Sequence, residues 1–298
     1  MTLNPFTFAL LSVLVGIIAG LGAVVFRGLI AFFHNLLFLG IFSFSYDANA
    51  HTPPGPFGPF ILLAPVVGAV GVSFLVTKFA PEARGHGVPE VMDAEYYNNG
   101  IIRPVVAVIK AVASGLSIGS GGSLGREGPI VQIGSAFGST VGQILKLPPW
   151  QTITLIAAGG AGGIAATFNT PLGGIMFAAE LLMQEVSART LMPVVISAAT
   201  ATYIGRIFFG AHPSFVIPAI ETNVFQLTKP IQLVLYAFLG VIIGGAAAAF
   251  IKSVYWAETF FDRLIKKNIT SGTCWGCSSW AYRFICCILF MGIITSKE

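Results

Sequence analysis

Apolar residues form nine runs along the chain, separated by short segments that hold much of the proline and charge. The runs lie at about residues 6–39, 59–79, 101–118, 129–146, 151–168, 171–186, 190–209, 229–262 and 281–295. A helix needs about 20 mainly apolar residues to cross the hydrocarbon core of a bilayer. The pattern therefore predicts an all-α, polytopic membrane protein.

The runs between residues 101 and 186 are short and interrupted by glycine. We expect several of these helices to cross only part of the bilayer. Irregular backbone at membrane depth is tolerated only where it is buried in protein or lines a cavity. The broken helices therefore indicate a transport pathway rather than a simple membrane anchor.

Composition supports this assignment and excludes other classes of protein. The 298 residues are 55% hydrophobic and 9% charged, whereas soluble domains carry about 25% charged residues. The net charge of +4 is small and dispersed, so nucleic acid is not an expected partner. No disulfide framework is predicted, because all four cysteines fall near the end of the chain, at Cys274, Cys277, Cys286 and Cys287.

Basic residues in the loops predict the orientation. Segment 40–58 has no lysine or arginine, whereas segments 78–103 and 263–267 contain several. The positive-inside rule places the latter two in the cytoplasm. We predict a multi-pass protein of a prokaryotic cell membrane, with membrane lipid as its surroundings.

The sequence GREGP, from Gly125 to Pro129, places an Arg-Glu pair between glycines at a predicted helix start. Charged residues at membrane depth usually mark an ion path. A helix N-terminus offers backbone N–H groups and a positive dipole end to an anion. Glu127 is itself an anion there, so it is predicted to gate by competing with a permeating anion. A structural pair between Arg126 and Glu127 is the alternative, although adjacent helical residues do not face each other.

A second glycine-rich helix start, GHGVPE, runs from Gly85 to Glu90. The N–H groups of such a turn form a concave anion site. The alternative is an ordinary glycine-rich helix start. Two further charges, Lys110 and Glu180, lie within apolar runs and are predicted to be buried.

Together these motifs resemble those of the CLC family of chloride channels and proton-coupled chloride exchangers. GREGP is that family's signature, GHGVPEV occupies the place of its GSGIPE-like segment, and FNTPLGGIMFAAE resembles its FNAPLAG segment. Lys110 stands where the family often has a lysine. The resemblance covers roughly residues 7–262.

The resemblance implies an inverted-repeat helical bundle with broken helices, assembled as a homodimer with one chloride path per subunit. Residues 1–209 would form the first half-repeat, and residues 210–262 a linker and the first long helix of the second half. It implies that Glu127 is the gate. It also implies an anion site formed around Gly85, His86, Gly87, Gly125, Arg126, Gly128 and Ile130.

Three departures from the family pattern affect the expected function. His86 replaces a serine that binds the central anion, and Leu181 replaces the inner glutamate that coupled exchangers usually carry. Segment 263–298 differs from the rest in composition, and we expect it to arise from a frameshift or truncation. Metal binding by Cys274 and Cys277 is not predicted, because no second pair or histidine accompanies them.

The sequence thus predicts a chloride channel with a glutamate gate, no enzymatic activity, and neither cofactor nor metal. A proton-coupled chloride antiporter and a non-conducting truncated subunit are the alternatives within this family. An intramembrane hydrolase that uses His86 with Ser120 or Ser123 is an alternative of another class.

Overall fold

The computed structural model describes residues 3–46, 55–83, 85–122, 124–211 and 231–268 of the chain. Every regular element within these ranges is helical, which confirms the predicted class. The α-helices are α1 (Pro5–His34), α2 (Ala64–Phe79), α3 (Val88–Tyr97), α4 (Pro104–Gly119), α5 (Glu127–Ile144), α6 (Pro149–Phe168), α7 (Pro171–Leu181), α8 (Ala188–Phe209) and α9 (Ile231–Asn268). A π-helical turn follows α1 at Asn35–Leu39, and 3-10 turns occupy Gly58–Leu63 and Pro81–Ala83.

Helix lengths separate membrane spans from shorter segments. Within the described ranges, the segments long and apolar enough to cross a membrane are Pro5–Leu39, Pro149–Phe168, Ala188–Phe209 and Ile231–Trp256. Helices α2, α4 and α7 are apolar but have only 16, 16 and 11 residues. A full crossing needs about 20 residues. Helices α4 and α7 thus match the expectation that several helices between residues 101 and 186 cross only part of the bilayer, and α2, which lies outside that range, is also short.

The predicted helix boundaries differ from the structure where prolines and caps decide them. Helix α4 begins at Pro104 rather than near residue 101, because the residue before a proline is driven into extended backbone, as Arg103 is. Helix α7 ends at Leu181 rather than 186, and the Ser187 hydroxyl then accepts a hydrogen bond from the Thr190 N–H to cap α8. The predicted run at 281–295 lies outside the described residues.

Helix α6 is almost entirely buried and packs against α1, α5, α7 and α8. Its closest neighbour is α5, where a methyl group on Gly134 or Gly159 would overlap the carbonyl oxygen of the other residue. Ser135 Oγ donates a hydrogen bond across this interface to the Ile156 carbonyl at 3.1 Å. Small residues and interhelical hydroxyl bonds are the usual means by which membrane helices approach closely.

Helix α9 forms a unit of its own and contains 38 residues. At about 1.5 Å per residue it is about 57 Å long, which exceeds the thickness of a bilayer core. The surroundings of Gly240 and Gly244 on this helix are open, with nothing within 4 Å of an added Cβ. These glycines therefore offer controls for substitutions at packed glycines.

Lys110 on α4 holds the segment that leads into α3. Its side chain is 4% exposed, and its Nζ donates hydrogen bonds to the carbonyls of Ala83 and Gly85, each at 3.0 Å. A buried ammonium group needs such partners because burial removes its hydration. The predicted burial of Lys110 is confirmed, and the two bonds fix the backbone just before the GHGVPE turn.

Glu180 does not share this environment. Its side chain is exposed, as are those of Leu172 and Met176, which lie at four-residue spacing on the same face of α7. The prediction that Glu180 is a buried charge is therefore wrong for this chain. The apolar run around it suggested burial, but α7 packs on α6 and α8 through its opposite face, which includes Gly174 and Ala178.

We predict that Gly159→Ala destabilises the chain, because the new methyl group overlaps the Gly134 carbonyl. Overpacking of this kind costs about 1–3 kcal/mol. The free energy of unfolding in detergent, followed by circular dichroism during denaturant titration, measures the effect. Gly240→Ala is the control, since its methyl group enters open space. Equal effects of the two substitutions would contradict the packing described above.

We also predict that Lys110→Met lowers the free energy of unfolding. The methionine fills similar space but leaves the Ala83 and Gly85 carbonyls without their donor, and each lost buried bond costs about 1–3 kcal/mol. The same unfolding titration tests this. Lys252→Met, at an exposed lysine on α9, should be close to neutral. A Lys110→Met chain as stable as wild type would show that these bonds do not support the loop.

Candidate anion site

The start of α3 is shaped by two glycines with left-handed backbone. Gly85 and Gly87 have φ of +94° and +106°, values that glycine adopts without the strain that a side chain brings. The Glu90 carboxylate turns back and accepts a hydrogen bond from the Gly87 N–H at 2.7 Å. The Gly87 N–H is therefore bonded to the carboxylate that caps α3, and the contribution of Gly87 to an anion site stays a prediction.

The starts of α3 and α5 lie against each other through their backbones. A methyl group on Gly87 would overlap the Gly128 carbonyl, and one on Gly128 would overlap the His86 carbonyl. Only glycine at both positions permits this approach. The structure therefore brings GHGVPE and GREGP, which are about 40 residues apart in the sequence, into direct contact.

This arrangement concentrates positive potential at one place. Helix α5 begins at Glu127, and helix geometry leaves the N–H groups of Glu127 and Gly128 without an intrahelical acceptor. Each helix start carries about half a positive charge. The Ile130 N–H differs, because it donates to the Arg126 carbonyl at 3.2 Å. The anion-binding role predicted for Ile130 stays a prediction.

The Glu127 side chain folds back over the turn that precedes its helix. A methyl group on Gly125 would overlap Oε2 of Glu127, so the carboxylate lies directly above that glycine. The side chain is also exposed, which leaves it free of packing constraints. A carboxylate at this end of a helix is stabilised by the dipole. The position suits the predicted gate, whose role stays a prediction.

Arg126 points toward a neighbouring helix. Its guanidinium lies over the ring of Phe168 at the end of α6, with Cζ 5.0 Å from the ring centroid. Such a cation–π contact is favourable when the charge is partly desolvated, and Arg126 is half-buried. The structure thus gives the Arg126 side chain a contact with α6, which the predicted anion-binding role did not include.

Ser120 and His86, two of the residues proposed for a hydrolase, differ in their surroundings. Ser120 is fully buried, and its hydroxyl donates a hydrogen bond to the Ser117 carbonyl at 3.0 Å. The Ser120 side chain also packs against Gly68 of α2, where an added methyl group would overlap the hydroxyl. His86 is exposed, and Ser123 lies outside the described residues. Within the described ranges, no three His, Cys, Asp or Glu side chains are grouped as a metal site.

The sequence did not indicate the roles of two acidic residues near the site. Glu90, the last residue of GHGVPE, caps α3, and Glu95 is buried about one and a half turns further along the same helix. Segment 88–97 contains several polar residues, so it did not stand out as a helix with a buried face. The four-residue spacing of Val91 and Glu95 was the one available signal.

Comparison with known proteins identifies the family. The model of the voltage gated chloride channel family matches residues 68–295. The H(+)/Cl(-) exchange transporter ClcA of Vibrio vulnificus is 37% identical over 227 residues, which are 72% of this chain and 46% of that protein. The H(+)/Cl(-) exchange transporter ClcA of Cronobacter sakazakii is 33% identical over 277 residues, which are 90% of this chain and 56% of that protein. The chain thus spans about half the length of these relatives.

Solved structures share the fold. A slow cyanobacterial Cl-/H+ antiporter superposes with a TM-score of 0.73 at 22% identity, covering 96% of this chain and 64% of that protein. A CLC-type fluoride/proton antiporter superposes with a TM-score of 0.70 at 23% identity, covering 98% of this chain and 66% of that protein. Together with the family match, these comparisons show that the chain is an integral membrane protein and belongs to the voltage-gated chloride channel family.

Proposed function

We propose that the protein moves chloride across the membrane in exchange for protons, with Glu127 as the gating carboxylate and chloride as the one ligand of the site. The observation that carries this proposal is the Glu127 carboxylate folded back at the contact between the starts of α3 and α5. The curated relatives, at 33–37% identity, are named H(+)/Cl(-) exchange transporters. Their names favour the antiporter over the channel that the sequence first suggested.

The geometry supports a simple mechanism. When Glu127 is ionised, its carboxylate occupies the positive end of α5 and excludes another anion by repulsion. When Glu127 takes up a proton, it loses its charge and its attraction to the helix dipole. Chloride then enters the position. Release of the proton from Glu127 restores the carboxylate, and its return to the helix start displaces the chloride. Fixed dipoles attract an anion without holding it so tightly that it cannot leave.

We further propose that the working unit is a homodimer in a prokaryotic cell membrane. The family resemblance supports this assembly. Exposed apolar side chains on α1 and α8, such as Leu10, Val25 and Ile207, are suited to lipid or to a second subunit. A non-conducting subunit is the alternative, and the flux measurements below distinguish it.

We predict that Glu127→Gln separates chloride movement from proton movement. Glutamine keeps the size of the side chain but neither ionises nor carries a proton. In proteoliposomes, a chloride gradient should drive uphill proton movement in the wild-type chain. In the variant, chloride flux should persist and lose its pH dependence, while proton flux should fall to the level of empty liposomes.

Glu185→Gln is the matched control, because Glu185 is an exposed acid outside the site. It should behave as wild type. Chloride flux without proton movement in the wild-type chain would indicate a channel. No flux of either ion would indicate a non-conducting subunit, and a Glu127→Gln chain that still moves protons would exclude Glu127 as the gate.

A further inference from the structure

Glu95 is a buried acid with no compensating partner for its side chain. It is 2% exposed, and within the described ranges neither carboxyl oxygen has a hydrogen-bond partner. Its backbone carbonyl accepts a hydrogen bond from Gln184 Nε2 at 2.8 Å. Burial of an ionised carboxylate in such a place is strongly unfavourable, so the side chain is held as the neutral acid.

Glu95 lies on a buried face of α3 whose other members are apolar. Val91, Ala94 and Glu95 form the buried face of α3, which packs against α5. Helix α3 belongs neither to the membrane-length segments nor to the shorter apolar helices. Burial raises the pKa of Glu95 to about 9, and no neighbouring charged group contributes to this change. A proton is therefore bound to Glu95 at neutral pH.

Helix α3 connects Glu95 with the candidate anion site. Gly87 at its start touches Gly128, and eight residues at about 1.5 Å each place Glu95 about 12 Å further along the helix. On α5, Gln132 lies one turn beyond Gly128, is buried, and has an amide oxygen without a partner among the described residues. Two unsatisfied polar groups thus occur on the adjacent helices that lead away from the site.

The far end of α3 lies at the surface of the described structure. Tyr97, two residues beyond Glu95, is 82% exposed, and Tyr96 is also exposed. Segment 78–103, to which these residues belong, is the one that basic residues assign to the cytoplasm. Glu95 therefore lies between an exposed helix end and the anion site.

We propose that Glu95 is a second proton-carrying carboxyl of the transport path, which exchanges protons between the water at the end of α3 and the anion site. This proposal rests on the proton exchange proposed above. A proton from water binds a carboxylate oxygen of Glu95 to form the neutral acid, and the same proton later leaves toward Glu127. Direct transfer needs heavy atoms about 2.6–3.2 Å apart, so a chain of several water molecules would carry the proton, one of them donating a hydrogen bond to the Gln132 amide oxygen.

Separate flux measurements on the full chain test this role. In proteoliposomes, Glu95→Gln should retain chloride flux and lose uphill proton movement. Asp93→Asn is the matched control, since Asp93 is exposed on the same helix, and it should keep both fluxes. Proton movement unchanged in Glu95→Gln overturns the proposal while leaving proton exchange intact. A wild-type chain that moves chloride but no protons overturns both the role of Glu95 and the proposed proton exchange. A wild-type chain that moves neither ion overturns the role of Glu95 and the proposed chloride transport.

Titration of the purified chain tests proton binding without transport. Infrared difference spectra should show a protonated carboxyl band that disappears with a midpoint near the pKa of about 9. The band should be absent in Glu95→Gln and present in Asp93→Asn. A band that titrates near the ordinary pKa of 4.5, or one that survives Glu95→Gln, overturns the proposal.

Thermal unfolding gives a related prediction with a defined sign. The folded state retains the Glu95 proton between pH 4.5 and about 9, whereas the unfolded chain has lost it. Glu95 therefore contributes a progressive loss of stability as pH rises through this window. Glu95→Gln should remove that contribution. The melting temperature of the variant minus that of the wild type should therefore increase from pH 5 to pH 9. An advantage that is constant with pH contradicts a buried, titrating Glu95.

Discussion

The contact between Gly87 and Gly128 is the constraint on which the rest of the site depends. Each glycine faces a backbone carbonyl of the other segment so closely that even a methyl group would overlap it. The approach brings two helix N-termini together, each with unsatisfied amides and a partial positive charge. Repulsion between these two ends opposes the contact. The surrounding packing, above all the α5–α6 interface and the Lys110 bonds, therefore has to hold it in place.

Charged side chains around this contact have different roles because their surroundings differ. Lys110 is buried and keeps its charge by bonding to two carbonyls, so it acts on the backbone. Glu90 uses its carboxylate to cap α3. Glu127 is exposed above Gly125 and has no such structural task in the described chain. A carboxylate free to leave its position is what a gate requires, and Glu127 is the acid here that meets this condition.

Much of the fold followed from the sequence, because apolar runs and prolines act locally. The predicted runs located eight of the described helices, and Pro104 shows how one residue sets a boundary. The meeting of GHGVPE and GREGP was implied by family resemblance rather than by local pattern. Burial was the least predictable property. Lys110 and Glu180 both lie in apolar runs, yet only Lys110 faces the packed interior, because the facing side of a helix depends on its neighbours. The burial of Glu95 was not predicted for the same reason, because the segment around it contains several polar residues and its buried face depends on the neighbouring helices.

If the touching helix starts attract an anion, chloride should stabilise the folded chain. Thermal unfolding of the purified chain in chloride, compared with gluconate at equal ionic strength, measures this effect. Binding to the folded state raises stability by about 2.7 kcal/mol when the ligand is at 100 times its Kd. We expect a saturable rise in melting temperature with chloride, and its loss in Gly128→Ala, whose methyl group forces the two helix starts apart. Identical melting in both salts, or a chloride effect that Gly128→Ala retains in full, would contradict it.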